Sequence, residues 1–260
     1  MSGLAPTALD EADLERRFGG LSRLYGAAAY AQLRQLRVAV VGLGGVGSWA
    51  VEALARCGVA ELVLIDLDQV AESNINRQVQ ALGATVGKAK TQALRERIAD
   101  IHPACTVHEV EEFVEPENWP ALLPAPVDVL IDACDQVRAK ATLAAWALRE
   151  KLPLVCCGAA GGKQQPHRLE LADLADVTHD PLLASLRNRL RREHAAPRQG
   201  RLHVACVFSR EPVAPPADAA CDSDGSLNCH GYGSAVMVTA AFGMAAAAEA
   251  VRLGLLHRRV

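Results

Sequence analysis

VAVVGLGGVGSWAVEALARCG, from Val38 to Gly58, decides the fold. A short apolar run ends in glycines, which predicts a buried strand over Arg37–Val41. A helix over Val46–Cys57 comes next and is closed by Gly58. Gly42, Gly44 and Gly47 fit the G-x-G-x-x-G spacing, and Asp66 closes the next strand, Glu61–Asp66. That combination is the dinucleotide-binding fingerprint. Glycines let the backbone approach a phosphate, the helix N-terminus attracts its charge, and Asp66 would hold ribose hydroxyls. The turn alone does not separate NAD from ATP.

Working outward, helices are expected over 10–17 and 24–36, broken at Gly19-Gly20. Beyond the turn come a helix over Gly87–Ile101, strands over Thr106–Val110 and Val127–Asp132, a helix over Gln136–Lys151 and a strand over Leu154–Cys157. Arg168–Leu171 and His203–Phe208 read as strands, and Pro181–His194 as a helix. This alternation predicts an α/β fold, a Rossmann-like, mostly parallel sheet with helices on both faces. One continuous domain is expected over 1–260. It comprises an N-terminal helical segment (1–36), a nucleotide-binding core (37–162) and a substrate-binding C-terminal part (163–260). A mobile crossover loop is expected at 211–228, where Pro212–Leu227 is rich in Pro, Ala and Asp.

The chain has 260 residues, half of them hydrophobic, so a sizeable core can form, and its net charge of -3 gives no global basic field. None of the eight cysteines forms a C-x-x-C pair, which argues against a structural zinc site. The polar, acidic N-terminus is no signal peptide, so free thiols in a reducing cytoplasm are expected. Leu227–Ala248 is uncharged but full of Gly, Ala, Ser and Thr. A buried Ala-rich helix from about Gly233 to Leu255 is expected there, without stable membrane insertion, and with Glu249 and Arg252 facing solvent or a partner.

Residues beyond the turn choose the nucleotide. IDLDQVAESNINRQ (Ile65–Gln78) puts Asn74, Asn76 and Arg77 just past Asp66. VGKAK (Val86–Lys90) supplies Lys88 and Lys90, and IDACDQ (Ile131–Gln136) sets Asp132 and Asp135 at the carboxyl end of a strand. In an open parallel sheet that edge faces the ligand. Two cations and a carboxylate around one nucleotide suit a triphosphate with magnesium.

GxGGVGS, IDxDxVxxSNxNRQ, VGxxK and DxxD, in this order and spacing, resemble the adenylating ThiF/MoeB/ubiquitin-activating superfamily over roughly Arg17 to Gly162. Members adenylate a carboxylate with Mg-ATP and release pyrophosphate. The resemblance implies that Gly45 lies against the phosphates and Asp66 binds ribose. It implies that Asn74, Arg77 and Lys90 bind phosphates and that Asp135 holds Mg2+. Lys90 is preferred to Lys88 because it sits third after Gly87. Arg23 in RFGGLSRLYG (Arg17–Gly26) resembles the arginine that reaches the γ-phosphate of a neighbouring subunit, which implies a homodimer.

That stretch, GAAGGKQQPHRLELADLADVTHDPLLASLR (Gly158–Arg187) and NCHGYGSAVMVTAAFG (Asn228–Gly243) resemble the tRNA threonylcarbamoyladenosine dehydratase (TcdA/CsdL) family, ThiF/MoeB-like with a C-terminal extension. The reaction implied is ATP-dependent cyclisation of threonylcarbamoyladenosine at tRNA position 37. Its carboxylate is adenylated, the tethered ureido group closes a ring, and AMP and pyrophosphate are released. Cys229 either forms a thioester before closure or is a small buried residue. A cysteine desulfurase/sulfur-acceptor system is a further implied partner.

RNRLRREHAAPRQGR holds Arg187, Arg189, Arg191, Arg192, Arg198 and Arg201, a candidate strip for RNA phosphates or a solvated helix face. Three alternatives stay open: an activator of a small sulfur-carrier protein C-terminus, an NAD-dependent oxidoreductase, and a non-enzymatic nucleotide-binding scaffold.

Overall fold

The computed structural model describes residues 13–213 and 232–258. Seven strands form one sheet: β1 (Arg37–Val41), β2 (Glu61–Ile65), β3 (Thr106–Val110), β4 (Val129–Asp132), β5 (Leu154–Cys157), β6 (Leu169–Asp173) and β7 (Ala205–Ser209). Their order is β3-β2-β1-β4-β5-β7-β6, and only the β6–β7 pairing is antiparallel. The expected mostly parallel, doubly covered sheet is therefore present, and each of its strands lies within two residues of its expected bounds.

Alternation along each strand builds two cores. Val38, Val40, Leu62, Leu64, Val129 and Ile131 face α4 (Gly47–Arg56) and α8 (Val236–His257). Ala39, Val41, Val63, Ile65 and Leu130 face α6 (Val137–Glu150) and α7 (Pro181–Glu193). Helix α5 (Lys90–Ile101) completes the first layer through Leu94 and Ile98.

Three short helices, α1 (Leu14–Phe18), α2 (Gly20–Tyr25) and α3 (Ala27–Leu33), replace the two expected at the N-terminus. Gly19 stays helical at φ -59°, and the chain turns instead at Gly26, whose φ of +80° suits glycine. Arg17 donates to the carbonyls of Asp100 and Ile101, satisfying the end of α5.

Helix α8 is the one helix among the described residues long and apolar enough to cross a membrane, but half of that apolar window is buried. It packs on α4, β4 and β5. Glu249 corrects the sequence expectation. It is buried and takes both of its oxygens to Arg252, while Arg252 remains exposed. The expected crossover loop begins anchored, because buried Glu211 accepts the backbone N–H groups of Gln164 and Gln165. The rest of that loop, 214–228, and Cys229 lie outside the described residues.

Candidate nucleotide site

A cleft of about 390 Å³ opens at the carboxyl ends of β1, β4 and β5. The reversal of strand order beside β1 makes this the topological switch point of the sheet. Gly42, Gly44, Gly45, Asp66, Asn74, Arg77, Lys90 and Asp135 all line it. Gly47 stands behind the turn and admits no side chain, since a Cβ there would meet the carbonyl of Gly42. Gly42 itself has φ +84°, and a Cβ would lie 2.8 Å from the backbone nitrogen of Cys134. The glycine turn is thus pressed onto the turn that carries Asp135.

A Cβ on Gly44, by contrast, would meet nothing within 4 Å. Open space at that position leaves room for a ligand against the backbone. The N-cap of α4, Val46, provides no side-chain hydrogen bond, so the first N–H groups of the helix are not capped from that residue. Together these form a cradle for an anion.

Asp66 is buried at the end of β2, and its two oxygens accept N–H groups from Leu43 at 2.6 Å and Asp68 at 2.8 Å. The carboxylate therefore also fixes the glycine turn, and its remaining lone pairs can serve ribose hydroxyls. Burial pushes its pKa above the usual carboxylate range, although Lys90 and the two N–H donors oppose this. Lys90, the first residue of α5, is buried with its Nζ 2.7 Å from Asp68 and 3.8 Å from Asp66. Lys88 instead pairs with Glu96 at the surface.

The Asn74–Arg77 segment is tied down from several sides. Asn74 Oδ1 accepts the N–H of Ala71, and Arg77 donates to the Ser73 carbonyl and to Asn76 Oδ1. Trp49 donates to the Arg77 carbonyl at 3.0 Å, and Asn76 donates to the Ser234 carbonyl just before α8.

Asp132 and Asp135 part company. Asp135 is exposed on the cleft, whereas Asp132 is fully buried and paired with Lys140 at 3.0 Å. The sequence expectation of two acidic groups on the ligand edge is thus corrected to one. The thiols of Cys134 and Cys156 both donate to Asp132. Burial and the Asp132 charge push both thiols well above their ordinary pKa, so they are packing groups rather than nucleophiles. Burial likewise raises Cys157 to about 12.

The sequence reading missed Asp68, Gln78, Phe113 and Tyr232, which also line the cleft. Phe113 is 45% exposed there, an apolar ring beside the acidic groups. Arg23 lies outside this cleft, exposed on α2. The arginine run is partly spent inside the fold. Arg187 donates to the Leu174 and Val177 carbonyls, Arg189 and Arg192 share Glu193, and Arg191 donates to the Pro197 carbonyl. Arg198 and Arg201 are exposed.

The ThiF family matches residues 16–259. The tRNA threonylcarbamoyladenosine dehydratase of Haemophilus influenzae is 42% identical over 241 residues, 91% of this chain and 92% of that protein. The crystal structure of E. coli tRNA N6-threonylcarbamoyladenosine dehydratase, TcdA, in complex with ATP aligns at a TM-score of 0.87, with 40% identity, 97% of this chain and 99% of that one. The same protein in complex with AMP aligns at 0.86, with 41% identity and the same coverage. On a match that runs almost from end to end, this chain belongs to the ThiF family and stands within it among the tRNA threonylcarbamoyladenosine dehydratases.

Proposed function

We propose that this chain uses ATP to dehydrate threonylcarbamoyladenosine at position 37 of tRNA into its cyclic form. The observation that carries the reading is the convergence of Gly44, Asp66, Arg77, Lys90 and Asp135 on one cleft at the switch point of the sheet. An oxidoreductase or a passive scaffold has no need of that set. The absence of C-x-x-C pairs speaks against a sulfur-carrier activator.

A carboxylate resists nucleophiles, so activation comes first. Its oxygen attacks the α-phosphorus of ATP and pyrophosphate departs. The tethered ureido group then attacks the activated carbonyl and AMP departs, with net loss of one water. Tethering makes ring closure effectively unimolecular. The residues neutralise and align charge. Asp66 orients the ribose, and the glycine turn and the start of α4 receive phosphate oxygens. Arg77, Lys90 and Asn74 offset the charge that builds on the departing pyrophosphate.

Magnesium fits this donor set. Among the described residues no group of three or more His, Cys, Asp or Glu side chains forms a cage. One carboxylate plus phosphate oxygens and waters is the set this ion accepts. Asp135 would hold it, and the ion would supply further neutralisation of phosphate charge. Arg23 would act across a homodimer, in the site of the partner copy. The reaction balances without a sulfur donor, so a cysteine desulfurase/sulfur-acceptor partner would act on the protein rather than in the chemistry. Cytoplasmic tRNA is the substrate in this reading, and Arg187–Arg201 contributes to holding it.

The test is release of AMP and pyrophosphate from ATP with tRNA bearing threonylcarbamoyladenosine and with the same tRNA lacking it. Release that needs the modified nucleoside supports the reading. Release driven by a small carrier protein instead would overturn it.

A further inference from the structure

A second and larger cleft, of about 780 Å³, lies at the opposite edge of the sheet. Leu154 and Ala205, the first residues of β5 and β7, line it, so it sits at amino ends where the nucleotide cleft sits at carboxyl ends. Its cations are Lys151, Arg201 and Arg252, joined by His203, and Leu148 and Leu171 supply exposed apolar surface.

Both acidic residues of the lining are already engaged. Asp173 is buried and accepts the backbone N–H groups of Ala175, Leu202 and His203. Its contact with Arg201 is a long 3.7 Å, and the Arg201 side chain is 74% exposed. Glu249 gives both oxygens to Arg252. Lys151 is exposed at the rim and neither carboxylate serves it.

The backbone singles out two of these residues. Lys151 has φ 56° and His203 has φ 60°, so two of the four non-glycine residues at positive φ among those described line this one cleft. Glycine would hold either backbone position at lower cost. Lys151 adopts positive φ as the left-handed cap that ends α6, and His203 adopts it where its N–H meets Asp173, so each presents its side chain from a fixed turn.

We infer that this cleft grips the phosphate backbone of the tRNA outside the modified nucleotide. The inference rests on the RNA-modifying reading above. A five-residue strand such as β7 separates the two sheet edges by about 17 Å, a span that a polynucleotide bridges and a nucleoside does not. It also gives the end of the arginine run a role: Arg187, Arg189 and Arg192 are held by carbonyls and Glu193, while Arg201 reaches the cleft.

The test is a full-length triple variant, Lys151→Gly, Arg201→Gln and His203→Gly. Binding to tRNA bearing threonylcarbamoyladenosine is monitored by fluorescence anisotropy across a salt series. The inference expects at least tenfold weaker binding at low salt and a salt slope shallower by about 2, near 1 for each lost phosphate contact. Tm should be unchanged or raised, because glycine suits two of the three positions, and ATP affinity should be unchanged. Lys151→Gly alone should flatten the slope by about 1, which covers the case of a triple variant that folds poorly. Unchanged tRNA affinity and slope, in a protein whose wild type binds and dehydrates tRNA, overturns the cleft assignment and leaves the reaction standing; an acidic protein partner at this cleft would give that result. A wild-type protein that neither binds nor dehydrates the tRNA overturns both.

Discussion

Lys140 Nζ lies 3.0 Å from Asp132 Oδ2, and neither side chain reaches solvent. The pair locks the turn between β4 and α6. Lys140 also approaches the Asp132 carbonyl at 3.4 Å, and Asp132 Oδ1 accepts the N–H of Cys134. Asp135, three residues past Asp132, is carried on that locked turn. Removing one partner strands a buried charge. Lys140→Met is expected to cost about 3–5 kcal/mol, whereas Asp132→Asn with Lys140→Met should recover most of it. Urea unfolding of the three proteins checks this. Equal stability of the single and double variants would mean that the charge is not stranded.

Asp135→Ala should abolish turnover and leave the thermal midpoint in place, because the side chain is exposed on the cleft and fills no core volume. Paired melting curves and AMP assays make the comparison. Near-normal AMP release would remove Asp135 from the magnesium role.

Gly44 and Gly47 should separate binding from folding. Gly44→Ala places a methyl in open space on the cleft, so stability holds while ATP affinity falls. Gly47→Ala drives a methyl into the Gly42 carbonyl, so stability falls as well. Calorimetric ATP titration beside thermal melts distinguishes them. A Gly44→Ala protein that binds ATP normally would deny the close backbone approach.

Lys90→Ala should lower the rate by a factor of about 10²–10³, the loss of one charge-stabilising donor. Single-turnover AMP formation at saturating ATP measures it. An effect confined to KM would assign Lys90 to ground-state binding alone.

His102 sets a pH dependence far from the cleft. Burial, then the charges of Arg34 and Arg17, lower its pKa to about 4 from the ordinary 6.5. Its ring packs edge-on against Phe18 at 4.7 Å, beside the Arg34 guanidinium. The folded state binds the proton more weakly than the unfolded one. This contribution is therefore complete above pH 6.5 and is lost as pH falls toward 4. It amounts to about 3 kcal/mol over that window. His102→Leu should flatten the stability profile between these limits. Parallel profiles for variant and wild type would contradict the assignment.

The strands were legible in the sequence because parallel strands buried on both faces read as short apolar runs, and Arg37–Val41 and Leu154–Cys157 each end at a glycine. The site was legible where ligand chemistry leaves residues that a core does not need, such as Arg77, Lys90 and Asp135. What escaped depends on pairing across the fold. Asp132 and Asp135 look alike in DACD, and only the position of Lys140 separates them. That lysine carried a signal: with Ala141, Ala144 and Ala147 it falls on the inward stripe of α6, where a charge needs a buried partner. The arginine run reads alike along its length for the same reason: composition counts charges and does not see that Arg187, Arg189, Arg191 and Arg192 are engaged by Glu193 or carbonyls while Arg198 and Arg201 stay exposed. Phe113 belongs to no periodic pattern, so nothing marked it.

The most direct measurement is mass spectrometry of the nucleosides of tRNA bearing threonylcarbamoyladenosine, incubated with the protein and Mg-ATP. The account predicts a nucleoside lighter by one water, formed only with ATP and matched by AMP. An unchanged nucleoside, from a protein that is folded and binds ATP, would contradict it.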